Sequence, residues 1–313
     1  VRPARAFGGH DLELLAVVSF WGLNLTIAKF GLAEMAPLAF NYVRVAAAGL
    51  ILLGILLARG ESLRTGLGDG VKIALLGFVG HAAYQVFFIE GLARTTATHS
   101  ALIFALTPVL VGVVGQAVGI QRVGAIMWAA AALAFGGVYV IIAAMPPAGG
   151  PSPSLSGDLL ILAATACWAI YTTLSLPLLK RHSALKITGL TMAWGVVFLS
   201  PLSAGPVLAE NWSTVSRIGW GAMAYGILFP LVLAYLLWYR SIRLVGSFRT
   251  ALYSNLVPVS GALSGWLMLG ERLYPAVGAG AAAIFAGILL SRRGAPGEMP
   301  EEGAQQQGPS GAV

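Results

Sequence analysis

The sequence predicts an all-α integral membrane protein of ten transmembrane helices, arranged as two five-helix inverted-topology repeats. Three observations carry this prediction. Of 313 residues, 58% are hydrophobic and only 10% are charged, well below the roughly one quarter of charged residues in soluble domains. A Pro/Gly/Ser-rich linker, "MPPAGGPSPSLSG" from Met145 to Gly157, divides the long apolar runs five and five. Finally, Lys and Arg concentrate on alternate loops, as they do where short loops face the cytoplasm.

A bilayer core of about 30 Å takes about 20 apolar residues per helix. After an N-terminal tail, 1–10, the first run is 11–30. It exceeds a signal-peptide core, and no small-residue cleavage site precedes the polar "KFGLAEM" that follows, so it is expected as a retained helix. Runs 36–58, 71–92, 98–119 and 122–144 complete the first repeat, 11–144. Beyond the linker, 145–156, come 157–179, 186–204, 216–240, 247–269 and 273–292, the second repeat being 157–292. Continuous runs of this length favour helices over the shorter alternating strands of a barrel. The tail 293–313, which includes "GAPGEMPEEGAQQQGPSGAV", has too few large apolar residues to order itself.

Shifting the chain by 150 residues lays "ALIFALTPVLVGVVGQAVGIQR" from Ala101 on "ALYSNLVPVSGALSGWLMLGER" from Ala251. Pro108 meets Pro258, Arg122 meets Arg272, Phe135 meets Phe285 and Gly137 meets Gly287. In a Gly- and Ala-rich chain the paired Pro, Phe and Arg carry the weight of this match. Trp21 against Trp168 adds an anchor at a slightly different offset. An odd number of spans per repeat turns the second repeat over. Fourteen of the 19 basic residues fall on one side and four on the other, with Arg44 left inside the second run. This bias places both termini in the cytoplasm and the linker in the periplasm. Inverted repeats are a recurring construction of secondary transporters, where exchange of conformation between halves opens one central site to either side. Duplication also builds channels and membrane enzymes.

The net charge of +7 is scattered over short loops and forms no nucleic-acid patch. A single cysteine, Cys167, excludes an intramolecular disulfide and a multi-Cys metal site. No metal or cofactor is expected, and no GxxxxGK phosphate loop occurs.

Polar and aromatic residues inside the runs are the candidate site. In "ATACWAIYTTLSLP", 164–177, the residues Thr165, Trp168, Thr172 and Ser175 share one helical face, with Tyr171 beside it. Trp21 and Asn24 share a face of the first run; His81, Tyr84, Gln85 and Phe88 cluster on the third. Tyr225, Tyr235 and Tyr239 lie along the eighth, and Tyr253 and Ser260 mark the ninth. Such groups gain nothing against lipid and are expected to face protein or a cavity. The expected substrate-binding set is Trp21, Asn24, His81, Tyr84, Gln85, Thr165, Trp168, Tyr171, Tyr235 and Tyr253. For the Thr and Ser residues, helix-to-helix or own-backbone hydrogen bonding is an equal alternative. For each aromatic taken singly, packing is the alternative. His81 either carries a proton or sits neutral and hydrogen-bonded. Arg44 is expected to snorkel outward or to pair with Glu34 or Glu90. Pro108 and Pro258 are expected to kink their helices at matching points and serve as hinges, with static shape-fitting as the alternative. Gly115 with Gly119, and Gly261 with Gly265, give spacing for close helix contact.

The two five-span repeats, the W-A-x-Y step at Trp168 to Tyr171 and the "LGERL" run at Leu269 to Leu273 resemble the drug/metabolite transporter superfamily, EamA type, over residues 11–292. Within it the chain is similar to the YddG-type exporters of aromatic and other amino acids. The resemblance implies export of small metabolites across a bacterial inner membrane and no catalytic residue. It also implies a cavity built by spans near each repeat's start and middle, with spans five and ten peripheral. The expectation is a secondary transporter of small amphipathic metabolites, amino acids including aromatic ones. It works by alternating access in a lipid bilayer, as a monomer or weak dimer. Nucleosides or drugs are the alternative cargo. A membrane enzyme or a channel is the rival class. Against the first, "GALSG" at 261–265 has the wrong spacing for a serine protease loop, and Asp occurs only at 11, 69 and 158. Against the second, there is no selectivity loop or charged ring.

Overall fold

Backbone amides in hydrocarbon must find partners within their own segment, and the long apolar runs accordingly fold as helices. The computed structural model describes residues 8–92, 94, 100, 103–143, 154–269 and 274–293. The start of the fourth run, most of the linker, most of the "LGERL" run and most of both tails, which the sequence reading also covers, lie outside the described residues.

Helix α1, Gly9–Leu32, is followed by α2, Pro37–Ala58, whose proline sits in the first turn where its missing N–H is no loss. The third run is one long composite: α3, Leu67–Gly77, a π-helical segment Phe78–Ala83, and α4, Tyr84–Leu92. Next come α5, Thr107–Ala117, and α6, Ala125–Ala143. In the second half, Ser154 caps α7, Leu155–Leu179, by accepting from Gly157 N, and Ser183 caps α8, Ala184–Ala209, by accepting from Lys186 N. A second composite follows: α9, Arg217–Ile227, a π-helical segment Leu228–Leu233, and α10, Ala234–Val245. The chain ends through α11, Ser247–Ser254, α12, Val257–Leu269, and α13, Pro275–Ser291. Six of these, counting each composite once, are long and apolar enough to cross a membrane; α5, α6 and α13 are shorter apolar helices. Large apolar side chains such as Leu50, Leu155, Leu208 and Leu267 are exposed on the outer surface, as befits contact with lipid tails.

Two features depart from ten uninterrupted spans. Turns at 105–106 and 255–256 break the fourth and ninth runs. In each turn Leu106 N donates to Ile103 O, and Leu256 N to Tyr253 O, before the helix restarts. Pro108 and Pro258 stand in the first turn of the restarted helices, α5 and α12. Each proline therefore opens a helix rather than kinking a continuous one, because only the first turn tolerates a missing N–H and the ring. The π-helical segments are the second departure. Their first residues, Phe78 and Leu228, are 150 positions apart, the same offset as the prolines. The repeat is thus carried by backbone irregularities as well as by residue identities.

The two halves interleave. The first helix of each packs on the third and fourth runs of the other: α1 on α9, α10 and α12, and α7 on α4 and α5. Helix α2 packs on α8, and α6 pairs with α13. That last pair is set by small residues: a Cβ on Gly280 would lie 2.4 Å from Gly137 O, and one on Gly287 2.7 Å from Ala130 O, backbone distances that only glycine permits.

Polar ties close both ends of the bundle. At the end carrying Pro37, the Glu34 carboxylate accepts from Ser216 N at 2.6 Å and Ser216 Oγ at 2.7 Å. The backbone bond first, and the side-chain bond second, hold the Glu34 carboxyl below its ordinary 4.5. At the opposite end, buried Asp11 accepts from Tyr253 and Arg292 and from Gly8 N at 2.7 Å. Asp69 there meets Arg181 at 3.0 Å and His182 at 2.7 Å.

Candidate functional site

Trp168, in the middle of α7, is the hub of a ring cluster lodged where α1, α4, α7 and α10 meet. Its ring centroid lies 5.7 Å from Trp21, 5.7 Å from Tyr84, 5.6 Å from Tyr235 and 5.9 Å from Tyr171. The Trp21 and Tyr235 contacts are edge-to-face, at 80° and 73°, the arrangement ring quadrupoles prefer. Trp238, fully buried, closes the cluster 4.9 Å from Trp21. Phe88 stacks on Tyr84 at 6.0 Å.

The π-helical segments explain how the rings come this close. In the first, Gly80 brings backbone directly onto Tyr171: an added Cβ would stand 2.4 Å from the phenol ring. In the second, Pro230 O accepts from Trp21 Nε1 at 3.1 Å. A wider turn aims that carbonyl sideways, toward the neighbouring helix.

A chain of polar groups runs along one side. His81 Nε2 and Tyr171 Oη lie 3.0 Å apart, and Tyr171 Oη is 2.7 Å from Thr191 Oγ1. The His81 ring also stacks on Tyr235 at 5.6 Å. A fully buried imidazole with a hydroxyl partner and an aromatic face fits the neutral, hydrogen-bonded reading of His81. Gln85 Oε1 accepts from Asn41 Nδ2 at 2.9 Å. Among the described residues, Asn24 Oδ1, Thr172 Oγ1 and Thr173 Oγ1 are buried without a hydrogen-bond partner.

Of the residues expected at the site, Trp21, His81, Tyr84, Trp168, Tyr171 and Tyr235 are brought together, with Gln85 on the same helix. Thr165 and Ser175 donate to their own backbone, to Ile161 O at 2.8 Å and Tyr171 O at 2.6 Å. Tyr253 is elsewhere. It joins Asp11 and Arg292 at the end of the bundle, beside a cavity of about 250 Å³ that His10 and Arg249 also line. Ser260 packs against α1 at Gly22. Tyr225 donates to Phe20 O at 3.2 Å. Arg44 pairs with neither expected partner. Glu90 takes Arg94 at 2.6 Å and Glu34 takes Ser216, while Arg44 lies 5.1 Å over the Phe40 ring. Its carboxylate candidates sit near helix ends, whereas Arg44 reaches across to α9. Sequence reading missed Trp238 and Thr191. Trp238 follows Tyr235 by three positions and was findable on the same face; Thr191 lies in a Thr-containing helix with no distinguishing signal.

Comparison with known proteins follows the same architecture. A probable terminal-alkyne amino-acid exporter of Streptantibioticus cattleyicolor is 29% identical over 297 residues, covering 90% of this chain and 95% of that protein. The uncharacterized transporter YyaM of Bacillus subtilis is 29% identical over 250 residues, covering 79% of this chain and 82% of YyaM. A solved crystal structure that is 18% identical matches with a TM-score of 0.76 over 91% of this chain and 97% of its own, a likeness of fold alone. The EamA-like transporter family matches residues 11–143 and again 155–293, one match per half. With two such halves packed into one helical bundle, the chain belongs to the EamA-like transporter family and is a membrane transporter rather than an enzyme.

Proposed function

We propose that this chain is a secondary transporter that exports small amphipathic metabolites, amino acids including aromatic ones, across a bacterial inner membrane by alternating access. Ten spans in two inverted repeats, with both termini cytoplasmic, are part of this reading. The observation that carries it is the ring cluster around Trp168. It stands at the meeting of helices from both halves, with buried polar groups at its border, and between two ends closed by polar ties. Ring faces and edges suit an amphipathic solute and attract an ammonium group. The amino-acid cargo is further supported by the name of the Streptantibioticus relative.

The test uses thiol labelling in a background with Cys167 replaced. Single cysteines at 168, 171 and 235, buried in this arrangement, are expected to react with a membrane-impermeant thiol reagent as the transporter opens to one side and to be protected by a transported amino acid. A thiol in the C-terminal tail is expected to stay unreactive in intact cells. Trp168→Ala should weaken substrate binding several-fold, since an aromatic contact is worth about 0.5–1.5 kcal/mol beyond area burial. Unlabelled positions together with unchanged transport by Trp168→Ala would reduce the cluster to packing.

The paired helix restarts are the proposed hinges. Pro108→Ala restores an N–H and lifts the ban on continuing helix through the turn at 105–106. Slower counterflow at unchanged substrate affinity is the expected result, and an unchanged rate in both Pro108→Ala and Pro258→Ala would remove the hinge.

A further inference from the structure

Arg44 is a charge inside the second apolar run that nothing so far explains. It lies seven residues past Pro37, about 10 Å into the helix at 1.5 Å per residue. It does not turn back toward the helix end. Its Nε donates across to Gly226 O at 3.4 Å, nine residues, or about 13 Å, into α9. The guanidinium carbon lies over the Phe40 ring. Among the described residues no carboxylate pairs with it, and the two terminal amino groups of the fork meet no acceptor. The nearby acidic groups are committed: Glu34 to Ser216 and Glu90 to Arg94.

An arginine inside a membrane bundle ordinarily pairs or serves a substrate path. Here one long hydrogen bond and a cation–π contact leave most of its donors unused. One turn before it on α2, Asn41 donates to Gln85, the neighbour of Tyr84 in the ring cluster, so this stretch of α2 borders the cluster. Room for it is built into the backbone, since a Cβ on Gly226 would stand 2.7 Å from Arg44 Nε. A planar fork with free donors matches a carboxylate through two parallel hydrogen bonds.

We infer that Arg44 anchors the carboxylate of the cargo while the cargo's apolar part packs on the rings around Trp168. This rests on the cluster being the substrate site and sharpens it. The cargo class becomes amphipathic monocarboxylates such as amino acids, in preference to amines, neutral drugs or nucleosides. Arg44 is then a specificity-determining residue.

The experiment measures equilibrium binding to the purified chain in lipid nanodiscs. The probes are L-phenylalanine, L-tryptophan and L-leucine, each beside its amide, which lacks the carboxylate. In the native protein the acid is expected to bind at least about tenfold more tightly than its amide, the scale of a charge-assisted hydrogen bond. Arg44→Gln should bring that ratio near one. Arg44→Lys, which keeps the charge but not the fork, should retain part of it. Gly226→Ala, which displaces the guanidinium, should lower it too. A ratio compares two ligands on one preparation, so a reduced folded yield does not alter it. An unchanged ratio in Arg44→Gln and Arg44→Lys overturns the anchor. If Trp168→Ala then weakens acid and amide alike, the ring cluster survives without it. If none of the six compounds binds, or Trp168→Ala changes nothing, the cluster and the anchor fall together.

Discussion

Asp11→Ala is expected to lower stability by about 3–5 kcal/mol, the usual consequence of removing one partner of a buried ion pair. The Asp11 carboxylate is 1% exposed and collects four groups: the Arg292 guanidinium, the Tyr253 hydroxyl, Gly8 N and, at 3.5 Å, His10 Nε2. These come from the start of α1, from α11 and from just past α13, so one side chain fastens three parts of the bundle. Truncation takes away the carboxylate that the mostly buried Arg292 and the Tyr253 hydroxyl share. Replacing both charges, Asp11→Ala with Arg292→Met, should recover part of the loss, because the guanidinium that the Asp11 carboxylate balanced goes with it. Thermal unfolding of the purified protein in detergent reads both variants. The idea fails if the single variant unfolds like the native protein, or if the two losses simply add.

Gly80→Ala is expected to disrupt the ring cluster, with overpacking of about 1–3 kcal/mol. The added Cβ would lie 2.4 Å from the Tyr171 ring, which cannot retreat freely. Its hydroxyl is held between His81 and Thr191, and its ring packs against Trp168 and Tyr239. Either the π-helical segment moves or the polar chain breaks, and both displace Trp168. Gly54→Ala is the control: its Cβ meets nothing within 4 Å, and Gly54 lies within α2, four residues before its end, so the substitution should stabilise the helix by up to about 0.5–1 kcal/mol. The measured pair is the unfolding midpoint and the rate of amino-acid counterflow. Equal behaviour of the two alanine variants would show that the close approach at Gly80 carries no constraint.

The two substitutions act on different layers of the structure. Asp11 belongs to a polar tie at one end of the bundle, joining α1, α11 and the residue just past α13. Gly80 belongs to the packed centre, where the segment that bulges against Tyr171 also carries His81.

The amino-acid sequence by itself determined the class of the protein, because the deciding interactions are local. An apolar run of about 20 residues in hydrocarbon has one way to satisfy its amides, the helix, so α1, α2, α7 and α8 begin and end near where composition changes. The offset of 150 was equally legible from Pro108 and Pro258. The face of Thr165, Trp168, Thr172 and Ser175 was identifiable as the buried side of α7, since period and polarity are read along one helix. What each group on that face does was decided only by tertiary structure. Thr165 and Ser175 turn to their own backbone, while Trp168 meets rings from three other helices. Tyr253 and Tyr235 look alike in sequence. One is drawn to Asp11 and Arg292 at an end of the bundle, and the other packs at its centre. The π-helical segments had no local signal either. They are held by contacts between distant residues, Gly80 against Tyr171 and Pro230 with Trp21. A bulge costs regular helical bonding, and only a neighbour fitted to it makes it the stable form.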